Sequence, residues 1–378
     1  MDIDYKHRIF GLDVIRAVAI LLVMFSHSTI LLFPRKETTL LVIIRFFGTI
    51  GVDLFFVLSG FLIGGIILKQ LVQGKIALKD FVYFWIRRWF RTLPNYFLIL
   101  LLNIFLVFIF YGEIVAGIGY YFVFLQNFYE GQPDFFTESW SLSIEEYAYI
   151  IGPFLLYVLI SFSKRIPKHW LYLFVTLLII LSVTLFRYHF HLYNIVSSGQ
   201  EWSHQLRKVV VYRVDSVYYG FIAAYVFMYF KSVWERYKTP LFYLASVVFT
   251  CLHAIIFIFN VTPENASLFF NVFYLPIISI NLLLFFPLAT CSENRTFLKT
   301  QITKISILSY AIYLVNYSIV LLSIQYFIDV SQVALVFKIL ILLAYCVLTY
   351  LLSYLLFVYF ERPMTNLRDN KFFKPRLY

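Results

Sequence analysis

The chain has 378 residues, of which 62% are hydrophobic and 21% aromatic, while only 13% are charged. Together with a mean hydropathy of +0.83, this composition excludes a soluble globular domain. The net charge of +11 does not indicate a nucleic-acid partner, because in a membrane protein the distribution of Lys and Arg matters more than their sum. The apolar runs are long and continuous, which predicts an all-α, polytopic membrane protein embedded in a lipid bilayer.

Ten apolar stretches have the length that a helix needs to cross a bilayer. Basic residues cluster in alternating connections, so the positive-inside rule predicts that both termini lie in the cytosol. We expect a single domain over residues 1–378, with a short cytoplasmic tail at 364–378. The predicted spans are 10–33, 41–68, 92–111, 144–162, 170–186, 209–230, 240–260, 268–290, 304–326 and 335–359.

Two connections are too long to be simple turns. Residues 112–143 carry an aromatic middle that is too short to span, which favours an interfacial or re-entrant hairpin. Residues 187–208 form the other sizeable outer loop and contain His189, His191 and His204. No acidic ligand cluster joins these histidines, and the three cysteines lack metal-ligand spacing, so we expect no metal site.

The first apolar stretch, GLDVIRAVAILLVMFSHSTILLF, contains Asp13, Arg16 and His27. Ionisable groups at membrane depth are costly, and they therefore indicate function. Arg16 and His27 are eleven residues apart, which places them on one helix face about 16 Å apart along the axis. We expect the guanidinium near one membrane surface and the imidazole deeper, both facing one continuous cavity.

The second apolar stretch, GVDLFFVLSGFLIGG, holds a carboxylate near its middle, Asp53. A lone carboxylate at this depth needs a positively charged partner. The candidates are Arg16, Arg45 and Arg213. Gly60 and Gly64 form a small-xxx-small pair, for which we favour a role in close helix packing.

An arginine cluster, Arg87, Arg88 and Arg91, stands at the predicted cytosolic start of the third span, in FVYFWIRRWFRTLP. One interpretation is ordinary positive-inside anchoring among interfacial aromatic residues. The other is a phosphate site, since Arg binds phosphate in a bidentate fork and the helix N-terminus would point at the same ligand.

Two further spans open with charged residues. In SWSLSIEEYAYIIGP, Ser143 and Glu146 fit a capping box, which gives Glu146 a structural explanation that Glu145 lacks. In VYRVDSVYYG, Arg213 and Asp215 either neutralise charges inside the bundle or serve a substrate. The ninth span places Tyr310, Tyr313 and Asn316 on one face.

These stretches, in this order and closed by YFERP, resemble the signature set of the acyltransferase family 3 membrane proteins from about residue 11 to 363. The resemblance implies a ten-helix bundle in the bacterial cytoplasmic membrane. Such a protein takes an acyl group, usually acetyl, from cytosolic acyl-CoA and delivers it to a hydroxyl of a cell-surface polysaccharide or its lipid-linked precursor. Acyl-CoA is then a donor substrate, and no bound cofactor is expected.

The family's motifs map onto individual residues of this chain. Its Arg-x10-His element matches Arg16 and His27, and its arginine motif matches Arg88 and Arg91. Its Ser-x-Glu element matches Ser143 and Glu145. Many members carry a histidine after the late Tyr-Leu element, where this chain has Asn316. That difference concentrates the expected chemistry on His27.

The expected mechanism centres on His27, acting as general base on the acceptor hydroxyl or as a nucleophile that forms an acyl-imidazole. Asp53 or Glu145 would orient the imidazole. Arg213 or the amide of Asn127 would stabilise the oxyanion.

Substrate contacts complete the expected site. The nucleotide of the CoA thioester would bind Arg87, Arg88 and Arg91, with the pantetheine arm passing Arg16. The expected acceptor-side residues are Asn127, Trp140, Arg213 and Asp215. The alternative function is a transporter or flippase for an anionic or glycan-linked solute, which intramembrane charges would also suit. Against that alternative, the sequence shows no repeated halves.

Overall fold

A computed structural model describes residues 8–163, 165–291 and 297–368 of the chain. Within these ranges the chain is helical and contains no strand. Nine of its helices are long and apolar enough to cross a membrane, and a bent pair of helices makes ten when it is counted as one span. The predicted all-α, polytopic bundle is therefore confirmed. Most of the predicted tail at 364–378 lies outside the described residues.

The spanning helices are numbered in chain order. The second helix of the bent pair, Val210–Tyr229, is α6. The other member of the pair is Gly199–Arg207, which meets α6 at 93°. The bounds are α1 Phe10–Leu32, α2 Thr39–Val72, α3 Leu78–Tyr111, α4 Ser139–Phe162, α5 Lys168–Tyr193, α6 Val210–Tyr229, α7 Lys238–Ile258, α8 Phe269–Cys291, α9 Lys299–Phe327 and α10 Leu335–Leu367.

Several helices extend beyond the apolar windows that predicted them. Helix α3 begins at Leu78 instead of residue 92, α4 begins at Ser139 instead of 144, and α5 continues to Tyr193 instead of 186. The extensions contain charged, polar or aromatic residues, and such a mixture lowers mean hydropathy without preventing helix formation. His189 and His191 consequently lie on the last turns of α5, and the prediction that they belong to a loop is wrong.

Glycine lets α2 and α6 approach closely. A Cβ atom at Gly60 would lie 1.8 Å from the carbonyl oxygen of Val217, and one at Gly220 would lie 2.4 Å from that of Val57. Any larger side chain at either position would force the helices apart. The predicted packing role of Gly60 is confirmed.

The connection between α3 and α4 folds back into the protein. It contains a short helix, Ile118–Phe122, and its polar residue Asn127 is completely buried. The Asn127 amide donates hydrogen bonds to the carbonyl oxygens of Trp140, at 2.9 Å, and Lys208, at 2.7 Å. Protein therefore covers the part of the segment around Asn127, as a re-entrant hairpin requires, whereas Ile114, Tyr120 and Tyr129 are exposed.

Two ion pairs are buried in the bundle. Arg213 pairs with Asp53, which confirms one of the predicted partners of this carboxylate. Arg187 binds Asp215 through two hydrogen bonds of 3.1 and 2.7 Å, and neither side chain is exposed. Each pair neutralises a charge that the bundle interior would otherwise penalise.

Candidate active site

A cavity of about 220 Å³ lies between α1, α2, α3, α4 and α9, and we call it the arginine cavity. Its polar lining includes Arg16, Arg88, Arg91, Ser59 and Glu145. The remaining lining is mainly apolar or aromatic, with side chains from α2 and α9. The arginine motif and the Arg of the Arg-x10-His element thus come together in one space.

Arg88 is held in a fixed position within the arginine cavity. Its Nη2 donates to Oε2 of Glu145 at 2.9 Å and to the hydroxyl of Tyr149 at 3.0 Å. The guanidinium also lies 4.3 Å from the centre of the Tyr149 ring. Glu145 accepts a further hydrogen bond from Ser59 at 3.2 Å. Glu145 therefore neutralises and orients Arg88.

The other two arginines of the cavity form no direct ion pair with a carboxylate of the described residues. Arg16 donates to the Ser306 hydroxyl at 3.4 Å, while the nearby Asp13 pairs with Arg8. Among the described residues, no carboxylate oxygen lies within 4.0 Å of Arg16 or Arg91. Three guanidinium groups facing one carboxylate give the cavity a net positive charge, which favours an anionic ligand.

A second cavity, of about 240 Å³, adjoins the first and is lined by Arg87 and Arg368, with Gln70 and Tyr83. Arg88 and Arg91 line both cavities. We call this the arginine-rich vestibule. The predicted contribution of a helix N-terminus is wrong, because α3 begins at Leu78. Arg87 stands nine residues later, about 14 Å along the axis, beyond the reach of the terminal N–H groups.

A third cavity, of about 210 Å³, surrounds His27 and is called the histidine cavity. Val52 and Tyr313 line both this cavity and the arginine cavity. The Tyr313 hydroxyl lies 2.7 Å from Oγ of Ser141 and donates to the backbone oxygen of Glu138 at 3.1 Å. The single continuous cavity predicted from sequence is thus divided by a partition of two side chains.

His27 is oriented by Asn316, the residue at which this chain departs from the family pattern. The Asn316 amide nitrogen donates to the backbone oxygens of Ile312, at 2.7 Å, and Tyr313, at 2.9 Å. Its Oδ1 is therefore an acceptor, and it contacts Nδ1 of His27. The hydrogen on His27 must accordingly sit on Nδ1, which leaves the lone pair on Nε2 available as a base or nucleophile.

Neither carboxylate that was expected to orient His27 does so in the described structure. Asp53 is 3% exposed and bound to Arg213, and Glu145 is bound to Arg88, Ser59 and Tyr149. The expectation for both residues is wrong, because each is neutralised on another pair of helices.

The expected capping box at the start of α4 is also wrong. The helix begins at Ser139, so Ser143 already lies in its second turn. Ser143 instead accepts a hydrogen bond from Gln126 at 2.7 Å, and Glu146 accepts one from Thr92 at 3.0 Å.

The expected acceptor-side residues separate into two groups. Trp140 lines the histidine cavity. Arg213, Asp215 and Asn127 are completely buried and line neither the arginine cavity nor the histidine cavity. Arg213 and Asp215 belong to the buried ion pairs, and Asn127 binds the backbone, so the structure gives all three a structural explanation. An oxyanion role for Arg213 or Asn127 is inconsistent with these contacts.

Sequence reasoning assigned no site role to four residues of the histidine cavity, Glu138, Arg207, Lys208 and Tyr317, and considered Arg45 only as a partner of Asp53. Glu138 accepts hydrogen bonds from the backbone N–H and hydroxyl of Ser318. Burial nevertheless raises the pKa of Glu138 to about 7. The signal available in the sequence was the position of these charged residues at the ends of apolar stretches.

The chain is similar in sequence to known acyltransferases. The family model described as an acyltransferase domain matches residues 9–358. The chain is 38% identical over 138 residues to Peptidoglycan O-acetyltransferase OatA of Listeria monocytogenes, in an alignment covering 32% of this chain and 21% of the relative. It is 35% identical over 163 residues to Putative peptidoglycan O-acetyltransferase YrhL of Bacillus subtilis, covering 39% and 24%.

A longer alignment relates the chain to Putative O-acetyltransferase SACOL0978 of Staphylococcus aureus. The two are 27% identical over 345 residues, which cover 84% of this chain and 52% of the relative. The matches therefore span from about a fifth to about half of the length of these relatives. No solved structure matches the chain significantly.

Proposed function

Because this chain belongs to the acyltransferase family whose model matches residues 9–358, we propose that it is an integral membrane O-acetyltransferase. Its donor is cytosolic acetyl-CoA, and its acceptor is a hydroxyl of peptidoglycan or a related surface polysaccharide, as the names of the relatives suggest. The membrane is the bacterial cytoplasmic membrane.

The observation that carries this proposal is the series of three adjoining cavities. The arginine-rich vestibule shares Arg88 and Arg91 with the arginine cavity, and that cavity shares Val52 and Tyr313 with the histidine cavity. A cationic entrance that leads into a cavity lined by both arginines and apolar side chains suits a thioester whose nucleotide end carries several phosphates. The acetyl end crosses the partition to meet His27.

Each arginine has a distinct part in donor binding. Arg91 and Arg16, which form no direct ion pair among the described residues, present their guanidinium groups to the phosphates and the pantetheine arm. Arg88 is preorganised by Glu145, so it binds without a further ordering cost. Glu145 is then a positioning residue for the donor site.

The transfer itself uses Nε2 of His27, which takes the proton of the acceptor hydroxyl. The hydroxyl oxygen attacks the thioester carbon, the new C–O bond forms and the C–S bond breaks. The departing sulfur recovers the proton from the imidazole, so that free CoA leaves as a thiol. In the alternative route the same Nε2 lone pair attacks the thioester carbon, and the acetyl group is carried on Nε2 before it passes to the acceptor hydroxyl. In both routes Asn316 keeps the hydrogen on Nδ1.

The test measures release of CoA from acetyl-CoA and acetylation of a peptidoglycan fragment by the protein in reconstituted membranes. The wild-type chain should release CoA continuously, over many turnovers, only when the acceptor is present, and His27→Ala should abolish release while the protein still folds. A wild-type rate for His27→Ala would refute the assigned role of the imidazole. Solute movement without thioester consumption would favour a transporter instead.

A further inference from the structure

The histidine cavity contains a group of cations that the transfer chemistry does not use. Arg207 and Lys208 come from the bend before α6, and Arg45 comes from α2. Arg207 is only 8% exposed, yet it lines the cavity. By the positive-inside prediction this is the side opposite to the cytosolic arginines.

The guanidinium of Arg207 is only partly satisfied. Its Nε donates to the Ser203 hydroxyl at 2.9 Å, and its carbon lies 4.9 Å from the centre of the Trp140 ring. Its Nη1 is buried and has no hydrogen-bond partner in the described structure. A buried charged donor without a partner is costly, so the site is incomplete without an acceptor group.

Arg45 shows the same deficiency in the same cavity. Its Nη2 donates to the backbone oxygen of Phe33 at 2.8 Å, but its Nε is buried without a partner. Within the described parts of the chain, no carboxylate oxygen lies within 4.0 Å of Arg45, Arg207 or Lys208.

The charge of the cavity is unbalanced. It holds three cations and one carboxylate, Glu138. One oxygen of Glu138 is already bound by Ser318. The completely buried arginines elsewhere in the bundle, Arg187 and Arg213, each have a carboxylate partner. The cations around His27 therefore lack the kind of partner that this protein otherwise supplies.

We propose that Arg207 and Lys208 form an anion subsite that binds a carboxylate or phosphate group of the acceptor. This inference rests on the proposed function and narrows its substrate class to anionic glycans. The guanidinium fork of Arg207 engages two oxygens of the anion, and Lys208 adds a point charge. Anchoring the anion there holds the rest of the acceptor in the cavity that contains His27, as productive orientation requires.

The subsite is tested by equilibrium binding to the detergent-solubilised full chain without acetyl-CoA. One pair of probes is the N-acetylglucosamine–N-acetylmuramic acid disaccharide and its primary amide, which differ by one carboxylate. The other pair is N-acetylglucosamine linked to a polyprenyl diphosphate and the same sugar linked directly to the uncharged polyprenol. The first pair tests a sugar carboxylate as the anion, and the second tests a lipid-linked phosphate.

The wild-type protein should bind the charged member of at least one pair about 10- to 100-fold more tightly than the neutral member, as charge-assisted hydrogen bonds predict. Arg207→Gln and Lys208→Gln should each remove most of that preference, and Arg207→Lys should restore part of it. Lys231→Gln is the matched control, because Lys231 is an exposed cation on another connection. It should behave as the wild-type protein does.

Equal binding of charged and neutral probes in both pairs would overturn the subsite. It would also be overturned if the folded variants, checked by thermal unfolding, kept the full preference. Failure of the proposed function is separate, since binding needs no thioester. Charge-dependent binding without acetyl transfer would reject the transferase and keep the subsite, whereas efficient transfer to neutral acceptors would do the reverse.

Discussion

Asn316 provides the sharpest test of the chemistry assigned to His27. Replacing it by Leu keeps the size of the side chain but removes the acceptor for the hydrogen on Nδ1. The imidazole would then lose the interaction that selects its tautomer and its orientation. A buried donor left without a partner costs about 1–3 kcal/mol. If this cost raises the activation free energy by the same amount, the rate decreases roughly 5- to 150-fold.

The measurement is steady-state release of CoA by Asn316→Leu in proteoliposomes. The kcat should decrease by this factor, while the KM for acetyl-CoA stays the same, because the arginine cavity is untouched. Asn316→Asp retains an acceptor oxygen and should retain more activity than Asn316→Leu. Thr349→Val is a matched control, since the Thr349 hydroxyl is buried without a partner in the described structure.

Two results would refute the reasoning. The first is a wild-type kcat for Asn316→Leu, and the second is an equal loss for Asn316→Leu and Asn316→Asp. The second result would mean that the amide nitrogen, which donates to the backbone of Ile312 and Tyr313, is the important group. Asn316 would then be a structural residue of α9.

Three further perturbations test separate parts of the structure. Arg91→Gln should raise the KM for acetyl-CoA about 10-fold or more through the loss of a charge-assisted contact, whereas an effect confined to acceptor kinetics would contradict the phosphate role. Asp215→Asn leaves Arg187 buried without a counter-charge and should destabilise the protein by about 3–5 kcal/mol. Unfolding measurements should show this loss, and a raised acceptor KM at unchanged stability would restore the substrate-binding expectation for Asp215. For Glu138, the folded-state pKa of about 7 exceeds the ordinary 4.5, so its stabilising contribution is complete below pH 4.5 and is lost as pH rises through 7. Glu138→Gln should therefore weaken the pH dependence of thermal unfolding across this interval, and an unchanged slope would contradict the assignment.

The class of protein and most of its spans were predictable because hydropathy adds up along the chain. The predicted bounds are wrong at helix ends where charged, polar or aromatic residues make the hydropathy low although the chain is helical. Helix α3 is the main example: its first turns, from Leu78, contain enough charge to lie outside any apolar window. Because the helix begins at Leu78, its N-terminus is too far from the arginines to contribute to a phosphate site, but the arginines still cluster as predicted.

Several residues that line the candidate site could be predicted from the sequence, but the hydrogen-bond and ion-pair partners of those residues could not. Arg16 and His27 both face the bundle interior, in adjoining cavities, as their spacing on one helix indicates. The partner of His27 was not predictable, because Asn316 is 289 residues away in sequence. Many family members have a histidine at this position, and that difference had argued against a role of Asn316 in the chemistry.

The sequence by itself determined that the chain is a helical membrane protein with cations and an imidazole inside the bundle, because these properties depend on residues close together in the chain. Only the tertiary structure decided which carboxylate neutralises which cation. Asp53 joins Arg213, and Glu145 joins Arg88, so neither remains for His27. Such choices depend on distances of a few ångströms between helices, and Coulomb and hydrogen-bond energies change steeply over that range.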